Sequence, residues 1–147
     1  MKKFSFPLDR VLNWRRLECE RERARLEQRI AEHGAVEQRA FSIRRERDNT
    51  GQGIAEARVI TGTEVATLVH WQMAVRRQLK ELEIEEAKAA DRIREQRTVV
   101  QEAESKVRLL ERLREKRHGQ WTVDLAREEE TFATEVHLAR FVRMKTK

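Results

Sequence analysis

Counting alternately three and four residues from Val65 lands on Val65, Leu68, Gln72, Val75, Leu79, Leu82, Glu86, Ala89, Ile93, Gln96, Val100, Ala103, Val107 and Leu110. All but Gln72, Glu86 and Gln96 are apolar, and the residues between them are mostly Arg, Lys, Glu and Gln. A repeat of about 3.5 residues falls just short of the 3.6 of a straight α-helix. The apolar seam therefore stays on one side only if the helix supercoils around a partner, which predicts a coiled coil over this stretch. Gln72, Glu86 and Gln96 cost stability in an apolar seam, and polar residues so placed are the kind that fix register.

The same count from Leu8 gives Leu8, Leu12, Arg15, Cys19, Glu22, Leu26, Arg29, His33, Val36, Ala40 and Ile43, a poorer seam flanked by Val11, Ile30 and Phe41. Dense Arg/Glu pairs three and four apart between Arg15 and Glu32 add about 0.2–0.5 kcal/mol each on a helix surface. They predict a first helix over residues 8–48, with Gly34 tolerated at a cost of about 1 kcal/mol relative to Ala. Asn49-Thr50-Gly51-Gln52-Gly53 is the clearest break in the chain. The turn is therefore expected over residues 49–61, with at most a short helical turn from Ile54. Thr61 and Glu64 stand at capping-box spacing and open a second helix over residues 62–143. Past Leu110 the apolar residues Leu113, Trp121, Leu125, Phe132, Val136 and Ala139 drift towards a spacing of about 3.6, and Gly119 marks a candidate kink.

Ahead of the first helix, Phe4 and Phe6 precede the only proline, Pro7. Proline disfavours helix at Phe6 and suits the first turn that follows, so residues 1–7 read as a short extended arm. The two phenylalanines either staple the helix entry or face a partner. The simplest fold is all-α: a long antiparallel two-helix coiled coil, an α-hairpin of one domain over residues 1–147. Pairing outward from a turn at 49–60 sets Leu8 opposite residue 102. The second helix then overhangs over residues 104–145, and Trp121, Phe132 and Phe141 need a cover there.

Composition agrees. Of 147 residues, 39% are charged and only 5% aromatic, so apolar side chains are too thinly spread for a globular core and suit a helical seam. A disordered chain would lack the heptads. One cysteine, Cys19, rules out an internal disulfide and the usual zinc clusters and fits a reducing compartment. No apolar run follows Met1-Lys2-Lys3, so no signal peptide is expected. No stretch approaches the ~20 apolar residues of a membrane span. The net charge is +6, and it sits at the ends: residues 1–48 hold 13 basic and 9 acidic groups, residues 49–110 hold 10 and 10, and residues 111–147 hold 9 and 7.

No catalytic constellation has useful spacing, so an enzyme is not expected. The histidines His33, His70, His118 and His137 are scattered, with no two set as a ligand pair on a helix face. His33 reads as a seam polar group rather than a metal ligand. Neither a metal nor another cofactor is expected. Gly51-Gln52-Gly53 lacks the Lys-Ser/Thr ending of a phosphate loop. Cys19 reads as a small buried hydrophobe, and Glu128-Glu129-Glu130 as a solvated face. The arginine clusters Arg15-Arg16, Arg44-Arg45-Arg47 and Arg112–Arg117 are interleaved with glutamates, which repel phosphate, so nucleic-acid binding ranks low. The apolar faces are too narrow for a membrane-surface helix.

The opening Phe4-Ser-Phe-Pro-Leu8-Asp-Arg-Val11-Leu12-Asn-Trp-Arg15, with Glu18 and Glu22 behind it, resembles the N-terminal signature of the flagellar FliJ family. Val107-Arg-Leu-Leu-Glu-Arg-Leu-Arg-Glu-Lys-Arg117 resembles that family's late Leu- and Arg/Lys-rich segment. Glu135-Val-His-Leu-Ala139-Arg-Phe141 is similar to its terminal acidic-Ala-Arg block, with Thr134-Glu135 where an acidic pair is usual. The resemblance implies an antiparallel coiled coil like the central stalk of rotary ATPases. It implies a non-enzymatic cytoplasmic component of the type III export apparatus, peripheral at the inner membrane through its protein partners. Those partners would be the hexameric export ATPase, the export-gate membrane protein and export chaperones. Ring contacts are expected on the end formed by residues 4–16 and 107–141, through Phe4, Phe6, Leu8, Val11, Leu12, Trp121, Phe132 and Phe141. Charge suggests Arg15, Arg16, Arg112, Arg114 and Arg117 for the gate. The alternatives are a generic coiled-coil adaptor or homodimer, and behind them a basic nucleic-acid-binding coiled coil.

Overall fold

A computed structural model describes residues 3–56 and 59–145. It contains two helices, α1 (Asp9–Glu56) and α2 (Gly62–Lys145), and no strand among the described residues. Contacts divide the chain into two units, one of Met1–Cys19 with Glu102–Lys147 and the other of Glu20–Gln101. In each, a segment of α1 lies antiparallel to a segment of α2. The expected all-α, two-helix antiparallel pairing is therefore what the chain forms.

The unit Glu20–Gln101 is an α-hairpin. Its α1 side turns Glu22, Leu26, Arg29, His33, Val36, Ala40 and Ile43 inward, and Ala40 is fully buried. Its α2 side answers with Leu68, Val75, Leu79, Leu82, Glu86, Ala89, Ile93, Gln96 and Val100, of which Val75, Gln96 and Val100 are buried. These are the positions of the two seams. The departures fall at the start of α2, where Val65 and Gln72 are exposed and Trp71 takes the seam instead. Gln72 is therefore not a seam polar group. Gln96 is, because its Nε2 donates to the Glu22 carbonyl at 3.1 Å and to Glu22 Oε2 at 2.6 Å.

The turn lies later than its glycines suggest. α1 runs unbroken through Asn49-Thr50-Gly51-Gln52-Gly53 to Glu56. Counting on from Ile43 by four, three and four gives Arg47, Thr50 and Ile54, and the half-buried Thr50 and Ile54 continue the seam. That packing outweighs two glycines at about 1 kcal/mol each, since propensity yields to tertiary burial. Ahead of α2, the described residues 59–61 lie outside both helices. There Thr61 and Glu64 make the expected capping box. The Thr61 backbone N–H donates to Glu64 Oε2 at 2.7 Å, and the Glu64 N–H faces Thr61 Oγ1 at 3.4 Å. These hydrogen bonds to the Thr61 backbone and then its hydroxyl hold the Glu64 carboxyl below the usual carboxylate range.

In the other unit, Phe6, Leu12 and Cys19 from the N-terminal side and Ala103 from α2 are buried, with Val107 and Leu110 half-buried beside them. The later turn shifts the pairing. Asp9 lies 3.4 Å from Arg114, and Arg16 meets Glu111, so Leu8 sits far beyond its expected partner at residue 102. The overhang correspondingly starts after Leu125 rather than at 104, and described residues 126–145 are exposed throughout. α2 passes through Gly119 without interruption, so no break in the helix occurs there. No helix among the described residues is long and apolar enough to cross a membrane.

Candidate partner-binding surface

The N-terminal arm is built onto α2 by proline and aromatic packing. Pro7 and Leu8 form a turn, the Asp9 N–H donates to the Phe6 carbonyl at 3.1 Å, and the Leu12 N–H to the Leu8 carbonyl at 2.9 Å. This turn sends Phe6 into the unit, where it is 4% exposed. Phe4 lies edge-on to His118, with centroids 4.9 Å apart and planes at 87°, and 5.8 Å from Trp121. His118 and Trp121 are themselves 5.8 Å apart. Such offset and T-shaped contacts each add about 0.5–1.5 kcal/mol beyond burial. Arg117, Gln120 and Asp124 line a shallow groove along the arm beside Phe4 and Trp121.

The residues expected to meet a partner divide by burial. Phe6 and Leu12 are core, and Leu12 is only 1% exposed, so they support the surface rather than present it. Phe4 and Trp121 are half-buried on each other. Leu8 and Val11 are partly exposed, and Phe132 and Phe141 are open, at 68% and 51%. Among the arginines, Arg15 donates to Glu18 at 2.7 Å and its guanidinium lies 4.6 Å from the Trp14 ring centroid. Arg16 donates through Nε and Nη2 to Glu111 Oε1 at 3.2 and 2.7 Å. That pair is open to solvent and contributes about 0–1 kcal/mol. Arg114 faces Asp9, while Arg112 and Arg117 are exposed.

Sequence reasoning passed over part of this surface. Trp14 and Leu17 are each 54% exposed and continue from Val11 at three-residue spacing on the outer face of α1. On α2, Leu109 is 66% exposed and Leu113 follows four residues on. Apolar residues three or four apart but off the seam were the available signal. Beyond Leu125, Phe132 and Val136, and then Leu138, Phe141 and Val142, leave apolar side chains on the bare helix. Lys145 Nζ sits 4.7 Å from the Phe141 ring centroid.

In the unit Glu20–Gln101, ligand-type atoms of His33, Glu37 and Glu86 all lie within 4.8 Å of one another. His33 and Glu37 are four apart on α1, and Glu86 comes from α2. Comparison of the chain with protein-family models, with curated proteins and with solved structures finds no match.

Proposed function

We propose that this protein is a non-enzymatic stalk or coupling component of a flagellar type III protein export apparatus, acting with the export ATPase ring and linking it to the export gate and to substrate chaperones. The observation that carries the reading is the pairing of the two chain regions that resemble the FliJ family. The arm and first turns of α1 pack on α2 through Phe4, His118 and Trp121 and through Arg16 and Glu111. An antiparallel helix pair whose longer helix continues bare beyond Leu125 suits insertion into a protein ring. Hydrophobic side chains left open along it, Phe132 and Phe141 foremost, supply contacts that a ring of protein subunits can bury.

The ring-facing set is then Phe4, Leu8, Val11, Trp14, Leu17, Trp121, Phe132 and Phe141, supported from beneath by Phe6 and Leu12. Arg15, Arg16, Arg112, Arg114 and Arg117 form a rim for acidic groups of the gate. The protein works in the cytoplasm and reaches the inner membrane through these partners.

The test is the hydrolysis rate and hexamer formation of a cognate export ATPase with the purified protein. Stimulation by the full chain, lost on deleting residues 1–16, supports the proposal. No effect of the full chain contradicts it. The same bare apolar stripe also fits self-pairing of two copies, which would make the protein a homodimeric adaptor. Sedimentation equilibrium separates the two, since the stalk reading requires a monomer.

A further inference from the structure

We propose that His33, Glu37 and Glu86 bind a divalent transition-metal ion of the Zn²⁺ class, clamping α1 to α2. This goes beyond the export reading and does not rest on it. Three observations combine. First, the donor atoms of all three side chains converge within 4.8 Å, and they come from two helices rather than from one acidic run. Second, the imidazole occupies a seam position and is largely covered, its side chain 22% exposed, while Glu86 is half-buried opposite it. Third, the charges are unbalanced. Glu37 lies 3.6 Å from His33 Nδ1, and among the described residues neither Glu37 nor Glu86 makes an ion pair with Lys or Arg. Two carboxylates against one imidazole in a helix seam favour a bound cation.

The donor set selects the ion. One nitrogen and two carboxylate oxygens match the mixed ligation of Zn²⁺, with the fourth tetrahedral position left to water. Imidazole is a poor ligand for Mg²⁺ and Ca²⁺, which prefer oxygen alone. At metal–ligand distances of about 2.0–2.2 Å, tetrahedral donors stand about 3.3–3.6 Å apart. His33 and Glu37 already stand at that spacing, 3.6 Å apart, so Glu86 is the ligand that has to close, by up to roughly 1 Å, within reach of a change of its side-chain rotamer.

The experiment is thermal unfolding of the full chain, followed by helical circular dichroism, at rising free ZnCl₂ and at matched MgCl₂. An ion bound only by the folded state raises the melting temperature steadily with the logarithm of its concentration. The expected result is such a rise with Zn²⁺, reversed by EDTA, absent with Mg²⁺, and lost in both His33→Gln and Glu86→Gln. Both variants keep a polar side chain of similar size, and their helicity without metal checks that they fold. A melting temperature that does not respond to Zn²⁺, or a response retained in both variants, overturns the assignment.

Discussion

Gln96 reaches across from α2 to α1 and holds Glu22 twice, donating from Nε2 to its main-chain carbonyl at 3.1 Å and to its carboxylate at 2.6 Å. Glu22 keeps its other oxygen for Arg25, at 2.7 Å. A buried amide in an apolar seam can be satisfied only when it lies opposite these acceptors. A slip by one heptad strands it, so the pair discriminates against wrong registers.

Gln96→Ala should therefore cost about 1–3 kcal/mol in denaturant unfolding, because the Glu22 carbonyl and Oε2 lose their cross-helix donor and the seam gains a void. Gln96→Leu should cost less or even stabilise, since leucine suits a seam, while removing the penalty on slipped pairings. Sedimentation and hydrogen exchange on the two variants check this. The leucine variant is expected to show the broader mixture of species although it melts above the alanine variant.

Much of this was legible in the chain. From Leu12 to Ile43 each counted seam position is buried or half-buried, as is each from Val75 to Leu110. Periodicity reads well because it sums over many residues. The turn was misplaced because Asn49–Gly53 carries a strong local breaker signal, while the seam at Thr50 and Ile54 that overrides it is only two residues long. That shift of the turn in turn displaced the register, and with it the start of the overhang. The meeting of His33 with Glu86 was invisible for the same reason: neighbours across a seam are known only once the register is known. Burial of Phe6 was one of two open readings, because a proline turn aims a side chain inward or outward according to packing.

Gly51 and Gly53 lie inside α1 at ordinary helical φ, and a methyl group at either would meet nothing within 4 Å. Neither turn geometry nor close packing requires glycine here. Gly51→Ala and Gly53→Ala should each stabilise by about 0.5–1 kcal/mol, read as a higher melting temperature and slower exchange at the end of α1. Destabilisation would mean that the helix does not run to Glu56.

The capping box predicts a pH dependence of definite sign. The Glu64 carboxyl titrates below its ordinary value because the Thr61 N–H and hydroxyl bind its charged form. Its contribution is fully present above the unfolded carboxylate pKa of about 4.3 and is lost as pH falls through the lower folded value. Amide exchange in the first turn of α2 should thus accelerate, relative to the helix interior, as pH drops through that window. Glu64→Gln should abolish the dependence. Thr61→Ala, which removes the cap itself, should cost about 1 kcal/mol at neutral pH.

Phe4 anchors the arm through His118 and Trp121. Phe4→Ala should cost about 1–2 kcal/mol and loosen the arm, seen as faster exchange of the Asp9 amide that donates to the Phe6 carbonyl, while leaving the unit Glu20–Gln101 unaffected.

In the export reading the open aromatics on the bare end of α2 supply ring contacts, and replacing them with a charged residue tests it most directly. Phe132→Asp and Phe141→Asp lie at exposed positions and should leave helicity and melting temperature near those of the parent chain. The decisive measurement is the hydrolysis rate of the cognate export ATPase with the parent protein and with this double variant. Stimulation by the parent that is lost in the folded variant is the predicted result. Equal stimulation by both, or none by either, would contradict it.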